Sequence, residues 1–127
     1  MLIVQKFGGS SIADGDRLRR AAGICMRQRQ NGNEVVVVVS AMGDTTDLLA
    51  DRARVLGGKP SPREMDALIT TGEQQSAALL VMTMESLGIP AVSLAGWQAG
   101  IYTDCRYGDS DIRLIAPVRI REALSRG

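Results

Sequence analysis

The residues that follow Met1 are Leu2-Ile3-Val4-Gln5-Lys6-Phe7-Gly8-Gly9-Ser10-Ser11. An apolar run that stops at two glycines predicts a short β-strand ending in a tight turn. Further along, Val35 to Val39 form an apolar run without any polar residue between them. Five consecutive β-branched residues are typical of a strand covered on both faces, which indicates a parallel sheet.

Helical patterns separate the predicted strands. We expect Asp14 or Asp16 to cap the first helix and Asn31-Gly32-Asn33 to end it, with an inward stripe of Leu18, Ala21, Ala22 and Cys25. We expect Thr45 or Thr46 to cap a second helix that runs to about Leu56. Later helices are expected to begin at the capping box Ser61-Pro62-Arg63-Glu64, after a turn at Thr71-Gly72, and at Pro117. Two more strands are expected, at Ala91 to Leu94 and Ile112 to Ile115.

This order of elements predicts an α/β fold, with helices on both faces of a largely parallel sheet. The 127 residues are 45% hydrophobic and 23% charged, which fits one compact unit spanning residues 1–127. A net charge of +1 and an aromatic content of 3% argue against nucleic acid or an anionic membrane as the main partner. No apolar run is long enough for a signal peptide or a membrane span, so we expect a cytoplasmic location.

The residue types limit the chemistry. The chain has no histidine, which excludes Ser-His-Asp catalysis, Cys-His catalysis and His-ligated zinc. Of the two cysteines, Cys25 is expected in the core and Cys105 in a polar loop, and we expect no disulfide between them. Lysine, arginine, carboxylates, hydroxyls and backbone N–H groups remain to carry a reaction.

Ligands of a parallel α/β sheet bind at the carboxyl ends of its strands. Four segments rich in Gly, Ser or Thr are expected there: Gly8 to Ser11, Ser40 to Asp44, Thr70 to Glu73, and Gly96 to Gly100. In the first, glycines would let N–H groups approach phosphate oxygens, the amino end of the helix that follows would add a favourable dipole, and Lys6 would add a positive charge. Ser40-Ala41-Met42-Gly43 repeats this pattern after the second strand. Tight turns without a ligand would also explain both segments.

Glu73 and Trp97 each allow two interpretations. Glu73 follows Gly72 at an expected helix start, where its carboxylate could either complement the helix dipole or hold a ligand ammonium group. Trp97, the only tryptophan, could cover the end of the sheet or line a ligand site. Arg63 and Asp66 are most simply surface charges.

Taken together, five segments resemble the aspartate kinase family, within the amino acid kinase superfamily. They occur in the family's order and span nearly the whole chain: Val4 to Ser11, Val36 to Asp47, Arg63 to Asp66, Thr71 to Gln74, and Gly96 to Ile101. The resemblance implies the amino-terminal portion of a three-layer α/β/α sandwich, the amino acid kinase (carbamate kinase-like) fold. It also implies transfer of the ATP γ-phosphoryl group to the side-chain carboxylate of L-aspartate, the first step of lysine, threonine and methionine biosynthesis.

The family's functional residues can be carried over where the motifs match. By this resemblance Lys6 is catalytic and neutralises the transferring phosphoryl group, and the nucleotide phosphates meet Lys6, Phe7, Gly8, Gly9, Ser10 and Ser40. L-Aspartate is held by Ser40, Thr45 and Glu73, with Glu73 at its ammonium group. The cofactor is ATP with Mg²⁺, no metal ligand is assigned to these residues, and the family implies a homo-oligomer.

Two departures qualify the resemblance. Tyr107 to Ile112 differs from the His-Gly-Asn-Ala-Arg-Ile type of segment usual in the family, so we assign it no role. We also expect the nucleotide-binding half and the regulatory domains to be missing, and the isolated chain to be inactive. The alternatives are another superfamily member, such as an acetylglutamate, γ-glutamyl or uridylate kinase, or a non-catalytic aspartate-binding or assembly module.

Overall fold

The computed structural model describes residues 1–127 as a small α/β arrangement with four strands and four α-helices. The strands are β1 (Leu2–Phe7), β2 (Glu34–Val39), β3 (Ile101–Thr103) and β4 (Ile112–Ile115). The helices are α1 (Gly15–Gln30), α2 (Thr45–Arg54), α3 (Pro62–Ser86) and α4 (Val118–Ser125). A short 3-10 helix, Gly9–Ile12, follows β1.

The first two strands form the parallel pair that the sequence predicts. Leu2 pairs with Glu34 and Phe7 with Val39, so β1 and β2 run side by side over their full lengths. Helix α1 connects them, as a parallel pair requires. Asp14 caps α1 by accepting a hydrogen bond from the Arg17 N–H at 2.8 Å. Of the two predicted caps, Asp14 is therefore the correct one, and the helix begins at Gly15.

The hydrophobic core lies on one face of this pair. Val35, Val37 and Val39 pack against a buried cluster drawn mainly from the 3-10 helix, α1 and α3. The cluster consists of Ile12, Leu18, Ala21, Ala22, Cys25, Leu80, Met84 and Ile89. Leu2, Val4 and Val38 point to the other face and are half or more exposed, so that face of the strand pair is covered less closely than the core face.

The predicted turn at Thr71-Gly72 is wrong, because α3 is one continuous helix of 25 residues. Its start is as expected, with Ser61 accepting a hydrogen bond from the Glu64 N–H and Pro62 in the first turn. Gly72 lies buried in the helix interior, where a neighbouring loop approaches it closely. Glycine is therefore needed here because α3 packs closely against the Ala41 loop and α2, and not because the chain turns.

Three other expectations need correction. Helix α2 is shorter than predicted, ending at Arg54, and its N-cap is Asp44, whose side chain makes no capping bond. Ala91 to Leu94 form no strand. Strand β3 was not predicted, and it pairs with β4 as an antiparallel hairpin. The hairpin is tied to α3 by Asp66, which accepts a hydrogen bond from the Gly108 N–H at 2.7 Å.

Candidate functional site

The first loop of the site leaves the carboxyl end of β1. Lys6 is exposed, and its Nζ atom would lie 3.5 Å from a Cβ atom placed on Gly8. The amine therefore extends over the glycine turn, as a phosphate-binding lysine would. Helix α1 contributes less than expected, because its amino end lies beyond the 3-10 helix and is already capped by Asp14. We had expected a helix amino end directly behind the glycines.

The second loop, Ser40 to Gly43, continues from β2 and packs directly on the first. The Ser40 N–H donates to the Phe7 carbonyl at 3.2 Å, and the Gly43 N–H donates to the Gly9 carbonyl at 3.1 Å. A Cβ atom placed on Gly9 would lie only 2.3 Å from the Ala41 carbonyl oxygen. Only glycine allows this approach, since real Cβ atoms essentially never come so close to backbone.

Helix α3 closes the site from a third side. Glu73 Oε1 accepts a hydrogen bond from the Ala41 N–H at 3.2 Å. A Cβ atom placed on Gly72 would lie 3.0 Å from the Ala41 Cβ and 3.4 Å from the Thr45 Cγ2. Glu73 thus sits in the interior of a long helix, so it cannot complement a helix amino end, and that interpretation of Glu73 falls away.

The structure brings together most of the residues that the resemblance assigned to the site. Lys6, Phe7, Gly8, Gly9, Ser40, Thr45 and Glu73 all lie in or beside the contacts just described. Ser10 is exposed, and its carbonyl accepts a hydrogen bond from Arg17 Nη1 at 3.0 Å. We did not foresee Arg17, whose position in the first turn of α1 could have drawn attention to it as a cation beside the first loop.

The fourth predicted segment, Gly96 to Gly100, lies directly before β3 and contacts the residue that follows β4. Gly100 has a left-handed backbone with φ of 78° and abuts the Ala116 carbonyl, so the segment belongs to the base of the β3–β4 hairpin. Trp97 is 61% exposed. Gln98, in the same turn, accepts a hydrogen bond from the Ala95 N–H at 2.9 Å.

Two ionisable groups have shifted pKa values, and both lie outside the site. Burial raises the pKa of the Cys25 thiol to about 11. Desolvation alone would raise the pKa of Asp104, but hydrogen bonds from the Arg113 and Arg106 side chains and from the Arg106 and Asp111 N–H groups outweigh it and lower that pKa. No group of three or more His, Cys, Asp or Glu side chains is arranged to hold a metal ion.

Comparison with known proteins agrees with this geometry. The family model for the amino acid kinase family matches residues 1–127. The chain belongs to the amino acid kinase family. It is 52% identical over 126 residues to an aspartokinase of Mycolicibacterium smegmatis and 50% identical over 126 residues to one of Geobacillus stearothermophilus. In both cases 99% of this chain is aligned, which spans only 30% and 31% of those relatives.

Solved structures give the same answer for the fold. An aspartate kinase from Synechocystis matches 74% of this chain, and 16% of its own, with a TM-score of 0.72 and 49% identity. E. coli aspartokinase III, solved with aspartate and ADP, matches the whole chain and 39% of its own with a TM-score of 0.85. At 22% identity this second match shows the fold alone, and it confirms the amino acid kinase fold that the sequence predicts.

None of the α-helices combines the length and the apolar character that crossing a membrane would require.

Proposed function

We propose that the protein carrying this chain is an aspartate kinase, which transfers the γ-phosphoryl group of ATP to the side-chain carboxylate of L-aspartate. Residues 1–127 would form the amino-terminal, substrate-binding portion of its catalytic domain. The observation that supports this best is that three segments contact the same residue, Ala41. Gly9 packs against its carbonyl, Glu73 accepts from its N–H, and Gly72 contacts its side chain.

The reaction suits the residue types in this chain. A carboxylate with an ordinary pKa of about 3.9 is already ionised at neutral pH, so it can attack without a general base. One aspartate oxygen forms a bond to the γ-phosphorus, the bond from that phosphorus to the β–γ bridging oxygen breaks, and ADP leaves. No proton moves in this step, and the absence of histidine is no obstacle to it. What the enzyme must supply is positioning and positive charge.

Each site residue then has a defined task. Lys6, above the Gly8 turn, would neutralise charge that develops on the transferring group. Phe7, Gly8, Gly9 and Ser10 would lie along the phosphates, and Ser40 between phosphate and substrate. Mg²⁺ would enter with the nucleotide, held by phosphate oxygens, since these residues include no carboxylate cluster for it.

The amino acid would be held by Thr45 and Glu73. Thr45 is half-buried beside Gly72, at the start of α2, and Glu73 is half-buried one residue further along α3. A carboxylate in this position can pair with the substrate ammonium group. Removing one partner of a buried ion pair costs about 3–5 kcal/mol, so a ligand without the ammonium group should bind much more weakly.

The test is substrate choice. The product of the complete reading frame should consume ATP with L-aspartate and form an aspartyl hydroxamate in the presence of hydroxylamine. Succinate, which has both carboxylates but no ammonium group, should be turned over at least about a hundredfold less efficiently. Equal turnover of the two acids would contradict the role of Glu73.

The same assay separates the alternatives. Turnover of N-acetyl-L-glutamate or L-glutamate in place of L-aspartate would favour another activity of the superfamily. Binding of L-aspartate without any ATP consumption would favour a non-catalytic module.

We further propose a homo-oligomer in the cytoplasm, as the resemblance to biosynthetic aspartate kinases implies. Leu2, Val4 and Val38 leave an apolar strip on one face of the β1–β2 pair, which is consistent with burial against further protein. Sedimentation of the purified protein tests this assembly, and a monomer at micromolar concentration would contradict it.

A further inference from the structure

Glu73 makes a contact that binding an ammonium group does not require. Its Oε1 atom accepts a hydrogen bond at 3.2 Å from the main chain of Ala41, 32 residues away in sequence. Ala41 is buried and belongs to the loop that follows β2, whereas Glu73 belongs to α3. A hydrogen bond that joins two segments so far apart in sequence can hold the loop in place.

The same residue contacts the Gly8–Gly9 turn through its carbonyl group. The Ala41 carbonyl oxygen lies only 2.3 Å from the position that a Cβ atom on Gly9 would occupy. Two residues further on, the Gly43 N–H donates to the Gly9 carbonyl at 3.1 Å. A shift of the Ala41 backbone would therefore move the Gly8–Gly9 turn as well, because the two loops are in van der Waals contact.

Helix α3 provides the rigid support for this chain of contacts. Gly72 lets the helix come close enough for the bond, since any side chain there would press on Ala41. Glu73 uses only Oε1 in the bond, and its Oε2 accepts no hydrogen bond from the chain. The two oxygens can therefore serve two purposes at once.

We propose that Glu73 is a positioning residue for the nucleotide phosphates as well as a partner for the substrate ammonium group. Oε1 fixes the Ser40–Gly43 loop against the Gly8–Gly9 turn, and Oε2 remains for the amino acid. This inference rests on the proposed function, which it extends from the amino acid to the nucleotide. It predicts that the hydrogen bond and the charge of Glu73 can be separated by mutation.

Three variants separate them. Glu73→Gln keeps an oxygen acceptor and removes the charge, Glu73→Asp keeps the charge and withdraws it by one methylene, and Glu73→Ala removes both. The complete protein is titrated calorimetrically with MgATP in the absence of L-aspartate. Glu73→Gln should bind MgATP with wild-type affinity, within about twofold, whereas Glu73→Asp and Glu73→Ala should bind it about tenfold more weakly. Titration with L-aspartate should show weakened binding for all three. Glu85→Ala, an exposed carboxylate on the same helix, is the matched control and should change neither affinity.

A second measurement does not depend on substrate. The Ala41 amide should exchange with solvent deuterium at the wild-type rate in Glu73→Gln, and at least about tenfold faster in Glu73→Asp and Glu73→Ala. The inference is overturned if all variants keep wild-type MgATP affinity, or if Glu73→Gln loses as much affinity and protection as Glu73→Ala. If Glu73→Ala does not fold, Glu73→Asp against Glu73→Gln makes the same comparison. The proposed function fails separately, if the wild-type protein does not phosphorylate L-aspartate.

Discussion

The site and the β3–β4 hairpin are held together by different forces. At the site, three segments meet through close backbone packing, with Gly9 and Gly72 placed where any larger residue would collide with Ala41. The hairpin is a charged surface structure, in which Asp104 receives hydrogen bonds from Arg106 and Arg113. Ile112, Leu114 and Ile115 of its second strand are more than half exposed.

This difference matters for what each region can do. Packing contacts change steeply with distance, so the site has a defined geometry, which positioning a phosphoryl group requires. Surface ion pairs contribute little to stability and are screened by salt, so the hairpin can vary without unfolding the rest. We therefore expect substitutions at the site to have large effects, and substitutions in the hairpin to have small ones.

The largest effect we expect is on catalysis. Under the proposed function, Lys6→Ala should lower kcat of the complete enzyme by roughly a thousandfold while leaving its melting temperature unchanged, because the exposed amine would act on charge that develops in the transition state. Lys59, the only other lysine, lies in the exposed connection between α2 and α3, and Lys59→Ala is the matched control. Near-normal turnover by Lys6→Ala would reduce Lys6 to an ordinary surface residue.

The hydrophobic core beneath the site and the hairpin each contain one cysteine, which allows a direct comparison of their accessibility. Cys25 is buried in the core with its pKa raised to about 11, and Cys105 is exposed in the hairpin loop. At neutral pH, iodoacetamide should label Cys105 at least about a hundredfold faster than Cys25, because Cys25 reacts only after the core opens. Peptide mapping by mass spectrometry identifies the labelled residue. Equal labelling of both thiols in the native protein would mean that the core is not closed around α1.

Gly9→Ala tests the packing of the two loops. The added Cβ must displace the Ala41 carbonyl, which we expect to lower the free energy of unfolding by about 1–3 kcal/mol and to weaken MgATP binding. Thermal and urea denaturation measure the first effect and calorimetry the second. Gly96→Ala serves as control, since a Cβ there meets no atom within 4 Å. If the two variants are equally stable, the loops are not packed as described.

The sequence predicted more of the first region than of the second, where β4 was expected at its observed bounds, Ile112–Ile115, but β3 was not. Local signals indicated Asp14 or Asp16 as the first cap, the Ser61 capping box and the parallel β1–β2 pair, because each depends on neighbouring residues or on an uninterrupted apolar run. The family motifs then indicated which segments meet. What could not be predicted from local pattern was contact between distant segments, such as the tie between Asp66 and the Gly108 N–H.

Gly72 shows the limit most clearly. Glycine favours turns, so Thr71-Gly72 was interpreted as a break between two helices, whereas the residue lies inside α3 against Ala41. A glycine required for close approach and a glycine required for a turn are the same letter in a sequence. Only the packed structure separates the two causes.

A pair of helix-interior glycines tests that distinction with a smaller effect. Gly23→Ala in α1 should stabilise the protein by up to about 1 kcal/mol, because alanine favours helix and its Cβ would meet only the flexible end of Arg27, at 3.9 Å. Gly72→Ala should lose this gain to the 3.0 Å contact with the Ala41 Cβ. Adding Ala41→Gly should restore part of it. The measurement is urea denaturation of the four proteins, and equal stabilisation by both alanines would show that Gly72 has room.

The smallest effect we expect concerns the charge of Asp104. Its pKa is lower in the folded chain than in the unfolded one, so its ion pairs contribute fully above the ordinary carboxyl range and are lost as the pH falls through the lowered value. Carboxyl NMR should therefore show a pKa of Asp104 below the ordinary value of an aspartate side chain. At neutral pH, Asp104→Asn should speed amide exchange in β4 without changing the melting temperature, because the hairpin is held largely by surface charge. Asp109→Asn, in the same loop with a side chain 96% exposed, should leave that exchange unchanged. A lowered melting temperature in Asp104→Asn would mean that the hairpin helps to hold the packed region, and that the two regions are not independent.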